Sequence, residues 1–136
     1  MRIIAGNLKG SNLYISKDKS TRPLRDLTRE SIFNLLIHSN KIAFEFRNAN
    51  VLDLFAGTGS FGLECISRQV KNVTFVENGN NIIKVLKKNI LKLKVEKKST
   101  IFYNDVFNLI KKDNFFKSNF DLIFCDPPFN EPNINS

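Results

Sequence analysis

The hydrophobic positions of the chain follow two different spacings. Residues 51–55 are apolar except for Asp53, which is typical of a strand covered on both faces, and further short runs at residues 70–76, 99–103 and 120–125 also predict strands. Apolar residues recur at helical spacing between these runs, at residues 60–68, 81–95 and about 106–113. Strand and helix therefore alternate, which predicts right-handed βαβ units and an α/β fold with a mostly parallel sheet.

The first part of the chain has another pattern. Two short apolar runs at residues 2–5 and 12–15 flank a glycine-containing linker, which predicts a β-hairpin with a loop longer than the tightest turns. Apolar spacing over residues 27–37 predicts a helix. It follows a polar loop in which Pro23 disfavours helix at the preceding residue.

The length of 136 residues fits one domain with one core. An apolar content of 42% and a charged content of 25% argue against global disorder. We divide the predicted domain into a hairpin extension at residues 1–19, a helical region at 20–49 and a ligand-binding α/β core at 50–136.

Residues 50–62 combine a buried strand, a glycine turn and the start of a helix. Gly57 and Gly59 permit a tight turn whose backbone a ligand can approach, and Ser60 is the expected N-cap of the helix. In a doubly wound sheet, ligands bind outside the carboxyl ends of the strands, over a turn of this kind. The turn is therefore a candidate ligand site, and a ligand-free αβ turn is the alternative.

The chemistry of the ligand follows from charge. Gly57, Gly59 and Gly62 satisfy the dinucleotide fingerprint G-x-G-x-x-G, and Glu77 ends the next strand, where a carboxylate can accept both hydroxyls of a ribose. Asp53, however, would repel a pyrophosphate at this turn. S-adenosylmethionine has no phosphate and has an ammonium and a sulfonium, so the sequence favours it over a nicotinamide dinucleotide.

Acidic residues also end the third and fourth strands. Asp105 could cap the following helix or accept a hydrogen bond from an adenine amino group. The fourth strand is followed by Asp126-Pro127-Pro128-Phe129, a backbone that two prolines make rigid and leave with unpaired carbonyls. These carbonyls and the Asp126 carboxylate can accept both hydrogens of an exocyclic amine, and an unpaired base can stack on Phe129. The alternative is a loop that the prolines merely stiffen.

The net charge of +8 indicates a polyanionic partner, nucleic acid first, with a solvated basic surface as the alternative. Arg22, Arg25 and Arg29 lie just before and within the first helical turn, where the helix dipole disfavours cations, so we expect them to contact phosphate. Arg2 and Lys9 on the predicted hairpin could lie along the same nucleic-acid backbone.

Other residues narrow the prediction. Cys65 and Cys125 are too few and too far apart for a zinc site, and we expect both to be buried thiols in a reducing compartment. No metal site is expected. No apolar run approaches the ~18 residues that span a membrane, and no secretory signal is visible, so we expect a cytoplasmic protein. His38, the only histidine, is expected on the surface at a helix end.

These motifs resemble those of the S-adenosylmethionine-dependent amino-methyltransferases with a D/N-P-P-Y/F signature. Their order resembles the bacterial 16S ribosomal RNA guanine-N2 methyltransferase family. The matching segments are residues 2–6, 22–23, 29–36, 52–59, 62–64, 76–77 and 126–129. The hairpin and the Arg-Pro helix separate this family from DNA adenine methyltransferases. The resemblance implies a Rossmann-like methyltransferase fold with strand order 3-2-1-4.

The resemblance also implies roles for single residues. Asp53, Gly57 and Gly59 would hold the methionine end of S-adenosylmethionine, Glu77 its ribose, and Asn104 with Asp105 its adenine. The full set of expected cofactor-binding residues is Asp53, Phe55, Ala56, Gly57, Gly59, Glu77, Asn104 and Asp105. The expected catalytic residues, which would hold the target guanine, are Asp126, Pro127 and Phe129. The expected RNA-binding residues are Arg2, Lys9, Arg22, Arg25 and Arg29.

The implied activity is methyl transfer to a guanine N2 amine of 16S ribosomal RNA, free or in an assembling small subunit, by a monomer. Members of the family continue with further strands, whereas this sequence ends seven residues after Phe129. We therefore expect a truncated member whose fourth strand is an exposed edge, which a second polypeptide could complete. The alternatives are a non-catalytic RNA-binding remnant and a DNA adenine amino-methyltransferase.

Overall fold

In the part of the chain that the structure describes, four parallel strands form a central sheet. The structure is a computed structural model that describes residues 1–17, 26–112, 115 and 119–128. The strands are β1 (Asn50–Leu54), β2 (Asn72–Glu77), β3 (Ser99–Tyr103) and β4 (Leu122–Cys125), and they lie in the order β3-β2-β1-β4. The predicted parallel α/β sheet and its strand order are confirmed.

The helices also follow the predicted order. They are α1 (Asp26–His38), α2 (Ser60–Ser67), α3 (Asn80–Leu93) and α4 (Val106–Ile110), with a 3₁₀ turn at Glu96–Lys98. Their ends differ from the prediction by a few residues, because caps and changes of chain direction set a helix end and apolar spacing does not. Within the described part of the chain, no helix is long and apolar enough to cross a membrane.

The core lies on both faces of the sheet. Along β1, Val51 belongs to the larger cluster of buried side chains, which includes residues of α1, α2 and α3, whereas Leu52 and Leu54 belong to a smaller cluster with α4. Every residue of α2 is buried. A Cβ at Gly62 would lie 2.3 Å from Cε1 of Phe75 on β2, so a glycine is needed for α2 to pack this closely.

An antiparallel ribbon forms the N-terminus. Arg2 and Asn12 form a bridge pair, and the Leu13 amide donates to the Met1 carbonyl at 2.8 Å. This is the predicted hairpin, reduced to one bridge with a looped connection. We call residues 1–15 the N-terminal ribbon.

The N-terminal ribbon is held on α2 by a buried acid. Glu64 is completely buried, and its carboxylate accepts hydrogen bonds from the amides of Ile4 at 2.8 Å and Ala5 at 3.1 Å. Arg68, one turn later, donates its Nε to the same carboxylate at 3.0 Å. The carboxylate therefore satisfies two partly buried ribbon amides.

β4 forms one edge of the sheet. It pairs with β1, and in the described ranges no strand pairs with its other side. Its side chains alternate, so that Ile123 is 49% exposed and Cys125 is also exposed. The prediction of two buried cysteines is correct for Cys65 and wrong for Cys125, because alternate side chains of an edge strand point to a face that little covers.

Candidate functional site

The turn after β1 has three residues in left-handed conformations. The φ angles are 58° at Phe55, 60° at Gly57 and 94° at Gly59. Ala56, between Phe55 and Gly57, is buried. Its amide donates to the Val76 carbonyl of β2 at 2.9 Å. A left-handed Phe55 costs free energy that glycine would avoid, so the backbone here is held by its surroundings.

The start of α2 differs from the prediction. Gly59 occupies the N-cap position, no side chain caps the helix, and Ser60 is its first helical residue. The prediction that Ser60 is the N-cap is wrong, because the left-handed turn at Gly59 brings the chain into the helix one residue earlier. The start of α2 therefore has no side chain at its N-cap position to accept from the helix amides.

Glu77 joins the two turns at this edge. Its Oε1 accepts a hydrogen bond from the Gly57 amide at 2.8 Å, across 20 residues of sequence. Its Oε2 accepts from the amides of Asn78 at 3.1 Å and Gly79 at 2.9 Å. The sequence predicted the position of this acid at the strand end but not these backbone contacts.

Asp53 is buried beneath the turn. Its side chain is 1% exposed, and within the described residues its Oδ2 has no hydrogen-bond partner. Burial raises the pKa of Asp53 well above its ordinary value; the Gly62 amide lowers it, while the charges of Glu77 and Asp126 raise it further. A buried acceptor without a partner, in a negative potential, favours a cationic or hydrogen-bond-donating ligand.

The end of β3 provides the next polar group. Asp105 caps α4, because its Oδ1 accepts from the Asn108 amide at 3.0 Å. Its Oδ2 accepts from the Asn78 side chain at 3.4 Å. The neighbouring Asn104 donates its amide to the Glu77 carbonyl at 3.1 Å, which places both residues beside Glu77. The capping role that the sequence offered for Asp105 is therefore present in the structure.

The end of β4 provides Asp126, Pro127 and Pro128, all of them half-buried. Asp126 lies close enough to Asp53 to raise its pKa, and it also raises the pKa of Cys125, after the larger effect of burial. Phe129, the remaining predicted catalytic residue, lies outside the described residues. The described members of the predicted site thus meet at one edge of the sheet.

The charge of this edge contrasts with that of the chain. Four carboxylates, those of Asp53, Glu77, Asp105 and Asp126, lie at or near the carboxyl ends of the four described strands in a chain of net charge +8. Such an edge disfavours a pyrophosphate and favours a ligand with positive charge. The described residues contain no group of three or more His, Cys, Asp or Glu side chains that could hold a metal ion.

The predicted RNA-binding residues have different surroundings. Arg2 and Lys9 are exposed on the N-terminal ribbon, as an RNA contact requires. Arg29 is fully buried, and its guanidinium donates to the carbonyls of Ser60, at 3.4 Å, and of Arg2. The prediction that Arg29 contacts phosphate is therefore wrong. Arg29 has a structural role, because its guanidinium is hydrogen-bonded to carbonyls inside the protein. Arg22 and Arg25 lie outside the described residues.

Sequence reasoning missed two buried polar residues near the site, Glu64 and Asn89. Asn89 is completely buried in α3, and its side-chain amide contacts the backbone of Tyr14 and of Thr58 in the glycine turn. A polar residue between Leu86 and Ile90, on the apolar side of a helix, was the pattern that could have identified it.

Comparison with known proteins places the chain in a family. The sequence profile described as "Conserved hypothetical protein 95" matches residues 1–136. The "Putative rRNA methyltransferase YlbH" of Bacillus subtilis is 34% identical over 136 residues, which are 100% of this chain and 71% of that protein. The "Ribosomal RNA small subunit methyltransferase D" of Haemophilus influenzae is 36% identical over 129 residues, or 95% of this chain and 64% of that protein.

A solved structure agrees with these relatives. "Putative methyltransferase yhhF from Escherichia coli" superposes with a TM-score of 0.80 at 28% identity, and the match covers 99% of this chain and 68% of that one. The chain thus spans between 64% and 71% of the length of these three proteins. The resemblance drawn from the motifs and the Rossmann-like methyltransferase fold are both confirmed, and the chain belongs to the Conserved hypothetical protein 95 family, together with the small-subunit ribosomal RNA methyltransferases D.

Proposed function

We propose that this protein transfers a methyl group from S-adenosylmethionine to the exocyclic N2 amine of a guanine in 16S ribosomal RNA. The observation that most supports the proposal is the unpartnered Oδ2 of buried Asp53, beneath a glycine turn at an edge with four carboxylates. Similarity to ribosomal RNA methyltransferases supports ribosomal RNA as the substrate class.

The residues at the glycine turn fit S-adenosylmethionine. This molecule, when bound, supplies a methyl group activated by a sulfonium. Asp53 and the left-handed turn at Gly57 and Gly59 would hold its cationic methionine end. Phe55 and Ala56 would line the pocket for this methionine end, because both belong to the turn. Pairing with a cation would also stabilise the ionised form of Asp53, which burial disfavours.

Glu77 would hold the ribose, with Asn104 and Asp105 beside the adenine. A carboxylate has about four acceptor sites, and three amides already use Glu77. Its Oε1 therefore keeps one site for a ribose hydroxyl. A second hydroxyl would compete with the Asn78 amide, whose 3.1 Å bond is the longest of the three.

Asp126 and Pro127 would hold the target base, with Phe129 stacked against it. The Asp126 carboxylate and the Pro127 carbonyl can accept the two hydrogens of a guanine amine, which directs the nitrogen lone pair towards the methyl donor. The reaction is a displacement in which a nitrogen–carbon bond forms as the sulfur–carbon bond breaks. Catalysis then depends on orientation, and the amine proton leaves to solvent or to Asp126. Arg2 and Lys9 would contact the RNA backbone.

The experiment titrates the 136-residue chain with S-adenosylmethionine by calorimetry. Asp53→Asn is the test variant, and Asp121→Asn is the matched control, because Asp121 accepts the Asn50 amide at 2.8 Å at the opposite end of β1. We expect wild type and the control to bind the cofactor, and Asp53→Asn to bind at least tenfold more weakly, the loss of a charged hydrogen bond. Equal affinity of all three proteins would contradict the proposed site.

The target atom is tested by methyl transfer. Wild type and Asp126→Ala are incubated with radiolabelled S-adenosylmethionine and undermethylated 16S RNA or small subunits, and the nucleosides are separated after digestion. Label in N2-methylguanosine, lost in Asp126→Ala, supports the proposal. Label in N6-methyladenosine would favour an adenine amino-methyltransferase. RNA binding without any transfer would favour the non-catalytic remnant.

A further inference from the structure

The buried side chain of Asn89, on α3 near the candidate site, forms hydrogen bonds through both its oxygen and its nitrogen. It is 0% exposed. Its Oδ1 accepts a hydrogen bond from the Tyr14 amide at 2.7 Å. Its Nδ2 donates to the carbonyls of Tyr14 at 3.1 Å and of Thr58 at 2.9 Å. A primary amide has two donors, and both are satisfied here, so Asn89 joins two segments that are not otherwise neighbours in sequence.

One of these segments is the glycine turn. The Thr58 carbonyl belongs to the peptide group between Thr58 and Gly59, and the Gly59 amide of the same peptide donates to the Ala56 carbonyl at 3.0 Å. The peptide plane is therefore fixed from both sides, by Asn89 on its oxygen and by Ala56 on its hydrogen. A Cβ at Gly59 would lie 2.5 Å from Leu86, so this plane also lies tightly against α3.

The other segment is the N-terminal ribbon. Both backbone polar groups of Tyr14 are bonded to Asn89. Lys92, one turn further along α3, donates to the Asn12 carbonyl at 2.7 Å and lies 4.8 Å above the Tyr14 ring. The end of the ribbon therefore docks on α3 at the residue that holds the glycine turn.

We infer that Asn89 is a positioning residue that makes the N-terminal ribbon part of the cofactor site. When the ribbon is docked, the Asn89 amide is oriented by Tyr14 and holds the Thr58–Gly59 peptide as the cofactor requires. When the ribbon is undocked, Asn89 loses its acceptor role and its orientation, and cofactor affinity falls. Because such coupling is reciprocal, bound cofactor also stabilises the docked ribbon, and RNA held by the ribbon raises cofactor affinity.

This inference rests on the proposed function, and its test uses the full chain with S-adenosylmethionine as the probe. Asn89→Asp keeps an acceptor for the Tyr14 amide but replaces both donations with repulsion between oxygens. Tyr14→Pro removes the amide that orients Asn89. Tyr14→Ala is its matched control, because it also removes the ring but keeps the amide. Circular dichroism and thermal unfolding identify the temperature at which each variant is folded.

We expect Tyr14→Pro to bind the cofactor about tenfold more weakly than wild type, the effect of one lost buried hydrogen bond. Asn89→Asp, which loses two donations, should bind at least tenfold more weakly, and Tyr14→Ala should bind within about twofold. A role in stability alone would lower the unfolding midpoint and leave the affinity of the folded protein unchanged. Hydrogen exchange adds a second readout: saturating cofactor should slow exchange of the Tyr14 amide in wild type.

The outcomes separate the two proposals. If wild type binds no S-adenosylmethionine, the proposed function fails and this inference fails with it. If wild type binds, but folded Tyr14→Pro binds as Tyr14→Ala does and cofactor does not slow Tyr14 exchange, the inference is wrong while the proposed function stands. Comparison of Tyr14→Pro with Tyr14→Ala tests whether ribbon docking affects cofactor affinity even if Asn89→Asp does not fold.

Discussion

The carboxylate of Glu77 lies 2.8 Å from the amide nitrogen of Gly57, and this contact joins the carboxyl end of β2 to the glycine turn of β1. The same carboxylate accepts two further amides, those of Asn78 and Gly79, in the turn that leads into α3. Glu77 therefore holds two turns in place through hydrogen bonds within the protein. A residue that the sequence assigned to ribose binding is also the acceptor that holds the site together.

Replacing Glu77 should reduce both stability and binding. We expect Glu77→Ala to lower the free energy of unfolding by about 2 kcal/mol, because three amides lose their acceptor at a half-buried position. Cofactor binding should fall below detection by calorimetry. Glu96→Ala, which removes an exposed acid beside β3, is the control and should change neither quantity. Urea denaturation measures the stability difference; loss of binding at unchanged stability would contradict a structural role of Glu77.

The sequence was sufficient for the fold because apolar spacing reports directly on which faces are covered. The alternation of apolar runs and helical spacing predicts the parallel sheet, and the glycines between β1 and α2 predict a candidate site at its carboxyl edge. Gly62 agrees with this, since its role is to let α2 approach Phe75. Alternation of strands and helices also left few possible topologies.

The errors concern residues whose environment depends on distant segments. Arg29 was assigned to RNA from its place in a first helical turn, yet its guanidinium donates to carbonyls of Ser60 and Arg2. Cys125 is expected to be a buried thiol, yet it is exposed because β4 is an edge. The role of Asn89 is not predictable from local sequence, because its partners Tyr14 and Thr58 are far away in sequence. Local patterns do not contain these tertiary contacts.

Asp53 should make stability depend on pH. Its pKa in the folded protein is raised, chiefly by burial, so the folded state holds the proton at pH values where the unfolded state has lost it. Protonated Asp53 therefore stabilises the folded state relative to ionised Asp53. This contribution to the free energy of unfolding is complete below the unfolded pKa of about 3.9 and is lost as pH rises towards the folded pKa, by up to about 1.4 kcal/mol per pH unit. Asp53→Asn removes this proton equilibrium.

The measurement compares urea denaturation of wild type and Asp53→Asn at several pH values. The difference in unfolding free energy should move in favour of Asp53→Asn as pH rises above about 4. Saturating S-adenosylmethionine should reduce the difference, because a cation stabilises ionised Asp53. If the difference in unfolding free energy were constant with pH, burial would not be destabilising the ionised form of Asp53.

Glu64 should control the docking of the N-terminal ribbon. Its removal leaves the amides of Ile4 and Ala5 and the Arg68 guanidinium without their buried acceptor. We expect Glu64→Ala to lower the free energy of unfolding by about 2–3 kcal/mol, because the amides lose their acceptor while the partly exposed Arg68 can still contact water. Glu30→Ala, at an exposed position of α1, is the control. Limited proteolysis should cleave the ribbon faster in Glu64→Ala; equal cleavage rates in both variants would contradict this docking role.

The two cysteines should report the packing of α2 and the exposure of β4. Cys65 is buried in α2, whereas Cys125 is exposed, so an alkylating reagent should modify one thiol in the native protein and both in denaturant. Partial burial and the charges of Asp126 and Asp53 raise the pKa of Cys125, so at pH 8 it should react more slowly than a free peptide thiol. Its rate should increase as pH rises, because only the thiolate reacts. Cys125→Ser should abolish native labelling, whereas rapid native labelling that persists in Cys125→Ser would show that Cys65 is accessible and that α2 is not packed as described.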